Sequence, residues 1–131
     1  NVDMVSSLDE VMRRADFVSI NCPLSAKTKG LIGPHELGLM KQTAYIINTA
    51  RGPIVDEPAL IAALQSGRIA GAALDVFEFE PLPHDNPLLK MDNVMLAPHN
   101  ANSSPAAWER VHWNTIKNLV EGLGIKMKDE R

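Results

Sequence analysis

Apolar positions along the chain fall into short segments of two alternating kinds. Leu8, Val11, Met12 and Ala15 recur at helical spacing and give one apolar stripe. Ser7-Leu8-Asp9-Glu10 has the form of a capping box, in which the Ser side chain caps a backbone N–H and Glu10 reaches back. Before it, Val2 and Met4 alternate as at a strand end or connector. Phe17 to Asn21 then concentrates β-branched and aromatic residues, a strand that ends at Cys22-Pro23-Leu24 because proline cannot donate to a ladder. After the polar loop Ser25 to Gly30, Pro34 opens a helix running to about Met40, with Leu37 and Met40 inward. Ala44 to Asn48 is a second strand. Asp56 caps a helix whose first turn holds Glu57 and Pro58, whose inner face is Leu60, Ile61 and Leu64, and which Gly67 closes. Ala70 to Val76 is a third strand of mostly small residues, Phe77 to Pro87 a proline-rich irregular loop, and Val94 to Ala97 a fourth strand. Ser104-Pro105 opens the last helix, with Trp108, Val111, His112, Thr115, Ile116, Leu119, Val120 and Leu123 as its inner face and Trp113 off that stripe.

Strands alternate with helices, and the strands are continuous apolar runs. That pattern predicts an α/β fold of Rossmann type, a parallel sheet whose flanking helices cover both faces. With about four strands the sheet reads as incomplete, its first βαβ unit absent. No repeat or linker interrupts the chain, so residues 1–131 are expected to form one unit.

Composition narrows the partners. Of 131 residues, 45% are hydrophobic and 22% charged, and the formal net charge is -3 with Lys and Arg scattered. That is no electrostatic footprint for nucleic acid, and small molecules or protein are the expected partners. A single Cys, Cys22, excludes an internal disulfide framework and fits a reducing compartment. With no apolar run of membrane-spanning length and no signal-peptide pattern, a cytoplasmic location is expected. His35, His84, His99 and His112 have no spacing that would gather several on one metal, so no metal site is expected. A G-x-G-x-x-G turn between strand and helix is also lacking; Gly122-Leu123-Gly124 starts such a string but closes a helix and has Met127 in the last place.

Three polar residues stand at strand ends or in the loops that follow: Arg51, Glu80 and His99. In an open α/β sheet the carboxyl ends of the strands border the ligand crevice. Arg can grip a carboxylate and adjacent carbonyl through its fork. A His beside a carboxylate is suited to hand over a proton near neutral pH. Together they would suit reduction of a 2-keto acid: Arg51 orients the carboxylate, His99 supplies the proton, Glu80 holds and tunes His99, and a nicotinamide brings the hydride. Singly, each has a plain reading, as a surface charge, a solvated loop acid or a cap, and Asp75 could cap the loop after its strand.

Asn48-Thr49-Ala50-Arg51-Gly52, the run Gly71 to Pro83 and Ala97-Pro98-His99-Asn100-Ala101 resemble the signature segments of the D-isomer-specific 2-hydroxyacid dehydrogenases, and Asp16 to Ile32 is similar to the strand and loop before them. The resemblance covers nearly the whole chain. It implies that Arg51 binds substrate, that His99 donates or accepts the proton and that Glu80 pairs with it. It implies that Asp75 contacts the nicotinamide carboxamide, that Cys22, Pro23, Thr49, Ala50, Arg51 and His99 line the cofactor cleft, and that Thr28 lies toward the adenosine end. The cofactor would be NAD or NADP, with NAD favoured, the substrate a small 2-keto or 2-hydroxy acid, and residues 1–131 a partial dinucleotide-binding domain with the substrate domain absent. Apart from the resemblance, Trp113 as a large aromatic off the inner stripe suggests a dimer or interdomain contact, and a homodimer is expected. The family's glycine-rich turn and NAD-selecting acid would lie upstream of Asn1, so this chain alone is expected to be nearly inactive. Asn100-Ala101-Asn102-Ser103 departs from the family's usual sequence after the His. Two other readings are an NAD-binding transcriptional corepressor of the same fold, and an inactive fragment that self-associates through a bare sheet edge.

Overall fold

The computed structural model describes residues 2–101 and 103–125. The chain divides into two compact units, the first ending at His99 and the second starting at Asn100, and each is described by itself. The first unit runs α1 (Leu8–Arg14), β1 (Phe17–Ile20), α2 (Pro34–Leu39), β2 (Tyr45–Asn48), a 3-10 turn (Gly52–Ile54), α3 (Glu57–Gln65), β3 (Gly71–Leu74), a second 3-10 turn (Pro87–Lys90) and β4 (Val94–Leu96). No strand forms at Val2 or Met4, and Asn1, Asn102 and Met127 lie outside the described residues.

The four strands are parallel and stand in the order β1-β2-β3-β4. Their register aligns Ile20 with Asn48, Asn48 with Leu74, and Leu74 with Leu96. All four carboxyl ends therefore open on one edge. The strands are shorter than the apolar runs, but ladder-like bonds continue beyond them: Ala70 N–H donates to the Ala44 carbonyl and Ala97 N–H to the Leu74 carbonyl, each at 2.9 Å.

Coverage differs from that predicted. Because each strand lies beside its predecessor, and crossovers between parallel strands share one hand, every connection falls on the same side. The core accordingly forms on one face, where Val18, Ile20, Ile46, Ala72 and Leu74 meet Met12, Leu37, Leu60 and Leu64. Burial alternates along β1 and β2 instead of being continuous. On the opposite face Phe17 is 70% and Met95 73% exposed. The Phe17 ring stacks on Tyr45 with centroids 5.6 Å apart, so part of this apolar surface is shielded by its own members.

Helix ends follow local chemistry, with one exception. Asp56 accepts the Ala59 N–H at 3.0 Å, Pro34 sits in the first turn of α2, and Gly67 takes φ +67 after α3. Ser7 is the N-cap of α1 but its side chain makes no capping bond. The proposed box is undone because Glu10 bonds Arg14 at 2.7 Å one turn along. Asp9, His35 and Glu36 have ligand atoms within 4.8 Å of one another, but these side chains have structural uses. Asp9 meets His35 Nε2 at 3.3 Å, and Glu36 accepts the Gly33 N–H at 2.9 Å.

In the second unit, α4 (Pro105–Gly122) starts as predicted, Ser104 Oγ accepting the Ala107 N–H at 3.1 Å. None of the residues read as its inner face is buried. Periodicity marks which side of a helix can be buried, whereas burial needs a facing surface. Trp108 and Trp113 are each more than half exposed. Among the described residues no helix is long and apolar enough to cross a membrane.

The one-faced core makes a paired prediction. Ile46→Ala, at a fully buried position, should cost about 2–5 kcal/mol. Phe17→Ala should cost about 1 kcal/mol or less, the scale of one exposed ring contact. Urea unfolding of both variants would reveal equal losses if both faces were covered.

Candidate active site

Each strand hands one candidate group to the common edge. Asn21, Cys22 and Pro23 follow β1, Thr49, Ala50 and Arg51 follow β2, Asp75 follows β3, and Ala97, Pro98 and His99 follow β4. Glu80 reaches the edge from the loop after β3. Asp75 is 4% exposed, and its N–H donates to the Asn48 carbonyl at 3.0 Å, extending the sheet by one bond.

The turn carrying Arg51 is built by two residues that hydrophobic patterning does not mark. Asn48, 1% exposed, accepts the Ala50 N–H through Oδ1 and donates through Nδ2 to the Arg51 carbonyl, each at 3.0 Å. A buried amide with both ends used fixes the path of the chain between them. Gly52 comes next. A Cβ on it would stand 1.9 Å from the Phe77 carbonyl oxygen and 2.6 Å from the Glu78 nitrogen. Only glycine lets the turn after β2 lie directly on the loop after β3. Arg51 itself is exposed and extended, and its Nη1 donates to the Ala50 carbonyl at 2.6 Å.

On the neighbouring loop, Glu80 uses both oxygens. Oε1 accepts the Phe77 N–H at 3.0 Å and Oε2 meets His99 Nδ1 at 2.7 Å. The His99 bond, then the Phe77 bond, hold the Glu80 carboxyl below its ordinary value of 4.5; desolvation opposes them, and the charges of His99 and Arg51 add smaller downward contributions. His99 sits at φ +55, in the left-handed region that non-glycine residues seldom adopt. Such a conformation costs about 1–3 kcal/mol and persists where surrounding bonds over-determine it. Here it aims the ring at Glu80. With Nδ1 committed, Nε2 is the nitrogen left to face a ligand.

Two cavities open at this edge. One, of about 550 Å³, is lined by residues 20–24 and 49–51, so it brings together Cys22, Pro23, Thr49, Ala50 and Arg51. The other, of about 610 Å³, is walled by Phe77, Leu82, Leu89 and Leu96 and holds Glu80 and His99. Thr28 lines neither cavity. Its hydroxyl donates to the Pro23 carbonyl at 2.6 Å and accepts the Ser25 N–H at 2.8 Å, which shapes the wall of the first cavity from behind. Glu57, read from the sequence as a first-turn acid, accepts the Glu78 N–H at 3.0 Å and Asn86 Nδ2 at 2.8 Å. Periodicity carries no signal for such a bond, because its partners are 21 and 29 residues away.

A cation, a carboxylate-bound imidazole and a buried acid on one edge can bind an anion and move a proton beside it. The family model described as D-isomer specific 2-hydroxyacid dehydrogenase, NAD binding domain, matches residues 1–101. A glyoxylate reductase of Thermofilum pendens is 52% identical over 122 residues, covering 93% of this chain and 36% of that protein. The solved D-isomer specific 2-hydroxyacid dehydrogenase of Lactobacillus delbrueckii ssp. bulgaricus, in its NAD complexed form, superposes with a TM-score of 0.78 at 35% identity, covering 94% of this chain and 41% of that one. That of Xanthobacter autotrophicus Py2, in complex with NADPH and MES, gives 0.69 at 50% identity, covering 70% and 30%. This chain thus spans well under half the length of each of these relatives.

Two outcomes are expected from this geometry. Gly52→Ala, which sets a methyl against backbone on both sides, should lose about 3 kcal/mol or more, the upper end for overpacking; chemical denaturation with an unchanged midpoint would contradict the contact. For Glu80 the folded value lies below the unfolded one. Its stabilisation is therefore present above pH 4.5 and is lost as pH falls through the folded value. Because the pair is partly exposed the effect is modest. Below pH 4.5 the parent should lose stability more steeply than Glu80→Gln, and parallel curves would refute the assignment.

Proposed function

The chain belongs to the D-isomer specific 2-hydroxyacid dehydrogenase family, and on that premise we propose that the protein carrying it interconverts a small 2-keto acid and its D-2-hydroxy acid, with a nicotinamide dinucleotide as hydride carrier. The observation that carries this reading is the 2.7 Å bond between Glu80 and His99 on the edge that also bears Arg51. Residues 1–131 would then supply the part of a nucleotide-binding domain that holds the reacting polar groups.

The donor set fits such a cofactor. The cavity after β1 and β2, about 550 Å³, has an apolar wall in Cys22, Pro23 and Leu24 and polar groups in Thr49 and Arg51. That combination suits a flat ring with one polar edge. Cys22, Pro23, Thr49 and Ala50 would hold it, Asp75 would accept from its carboxamide, and Thr28 would act by fixing the Pro23 to Ser25 backbone. The relatives described above carry NAD in one case and NADPH in the other, so the proposal extends to either.

The chain's own residues do the rest. Arg51 binds the substrate carboxylate with its guanidinium and draws charge from the keto oxygen. His99 gives a proton from Nε2 to that oxygen during reduction and takes it back during oxidation. Glu80 holds Nδ1, fixing the tautomer and stabilising the ring while it carries the proton. Glyoxylate, hydroxypyruvate and pyruvate are the substrates to try first.

In the full protein, His99→Gln should lower kcat by about 10²–10⁴-fold, the worth of a placed general acid. Arg51→Lys should weaken keto-acid use roughly 10-fold or more by losing the two-pronged contact. The check is consumption of reduced cofactor with each keto acid. Undiminished turnover in His99→Gln would defeat the assignment, and cofactor binding without any turnover would replace it with the regulatory reading.

A further inference from the structure

The loop that carries Glu80 has little means of holding its own shape. Residues 78–86 contain Pro81 and Pro83, which lack an N–H, and Glu80, whose carboxylate is turned to Phe77 and His99. Both ends of the segment are nevertheless tied to one side chain. Glu57, the first residue of α3, accepts the Glu78 N–H through Oε2 at 3.0 Å and Asn86 Nδ2 through Oε1 at 2.8 Å. Asn86 is itself set by three bonds: its Oδ1 accepts the Leu88 N–H and its N–H donates to the Pro83 carbonyl, each at 3.0 Å, and its carbonyl accepts the Leu89 N–H at 3.2 Å.

We infer that Glu57 is a positioning residue for the Glu80–His99 pair, its carboxylate clamping both ends of the loop that presents Glu80. The role of that pair rests on the proposed function, whereas the clamp itself is geometric. Glu57 follows Arg51 by six positions, joined through the 3-10 turn that begins at Gly52, which packs on Phe77. The same short stretch therefore sets both Arg51 and the loop opposite it. Without the clamp the segment keeps the Gly52 contact and its own bonds at Asn86 and Glu80 but loses the tie of both its ends to α3, so Glu80 is held less firmly against His99 Nδ1. Misplacing a catalytic group by about 1 Å costs about 10²-fold in rate.

The groups that bear on Glu80 are His99 from the end of β4, Arg51 from the end of β2 and the Phe77 N–H on its own loop. Its titration therefore reports whether the loop holds it in place. The test uses the full protein with carbon-labelled glutamate, Glu80 being assigned by its absence in Glu80→Gln. In Glu57→Ala the Glu80 carboxyl should titrate at higher pH than in the parent, and kcat should fall about 10- to 100-fold while KM for the reduced cofactor is unchanged. Asn86→Asp, which sets carboxylate against carboxylate, should do the same. Combining Glu57→Gln with Asn86→Asp exchanges donor and acceptor; the pair should recover both the titration and most of the rate, a rescue that loss of bulk stability would not produce. An unmoved Glu80 titration in folded Glu57→Ala, or no recovery in the double variant, overturns the inference. Should Glu57→Ala fail to fold, Asn86→Asp reads the same tie. If Glu80→Gln leaves turnover intact, the proposed reaction falls while the parent's titration against Asn86→Asp still decides the clamp.

Discussion

Backbone lies on backbone where Gly52 meets Phe77, and the candidate site depends on that contact. Two turns leave neighbouring strands and would diverge at their tips if either carried a side chain at the crossing. With nothing at position 52 they close up, so that a Cβ there would be 1.9 Å from a carbonyl oxygen. The guanidinium of Arg51 and the carboxylate of Glu80 then stand on touching pieces of chain. Asn48 adds the complementary constraint from below, using both ends of a buried amide to fix the turn it precedes.

A second dependence is electrostatic. His99 occupies a backbone conformation that disfavours residues with side chains, and the bond it makes there is short. Strain of that kind survives only where other contacts leave the chain no alternative. The contacts are Glu80, the Phe77 N–H that holds Glu80, and the sheet bond from Ala97 to Leu74 that brings the last strand into register. An imidazole on a partly exposed edge is thereby given one orientation.

Much of this was legible in the residues. The parallel sheet followed from continuous apolar runs separated by helical stripes, and the caps at Asp56, Pro34, Ser104 and Gly67 followed from their chemistry. Arg51, Glu80 and His99 were singled out through the motifs around them, and the structure brings Glu80 and His99 into a bond. What patterning left unmarked were contacts between residues distant in sequence: Glu57 with Asn86, and the crossing at Gly52. Coverage of the sheet on one face was hidden too, because a run such as Tyr45-Ile46-Ile47 reads the same whether one side or both are covered. Ser7 shows the reverse case. Its motif was complete, yet Glu10 found a cation one turn away and the box did not close.

The strand order has a kinetic side. Every strand pair joins strands that are consecutive in the chain, so each can form by a local addition. β4 stands last in the order, and His99 follows it by three residues. Any partly folded form in which Leu96 has yet to register against Leu74 can hold the first cavity and Arg51 but has no Glu80–His99 bond. The Glu80–His99 bond therefore depends on the pairing of β3 with β4, whichever of the other strand pairs forms first.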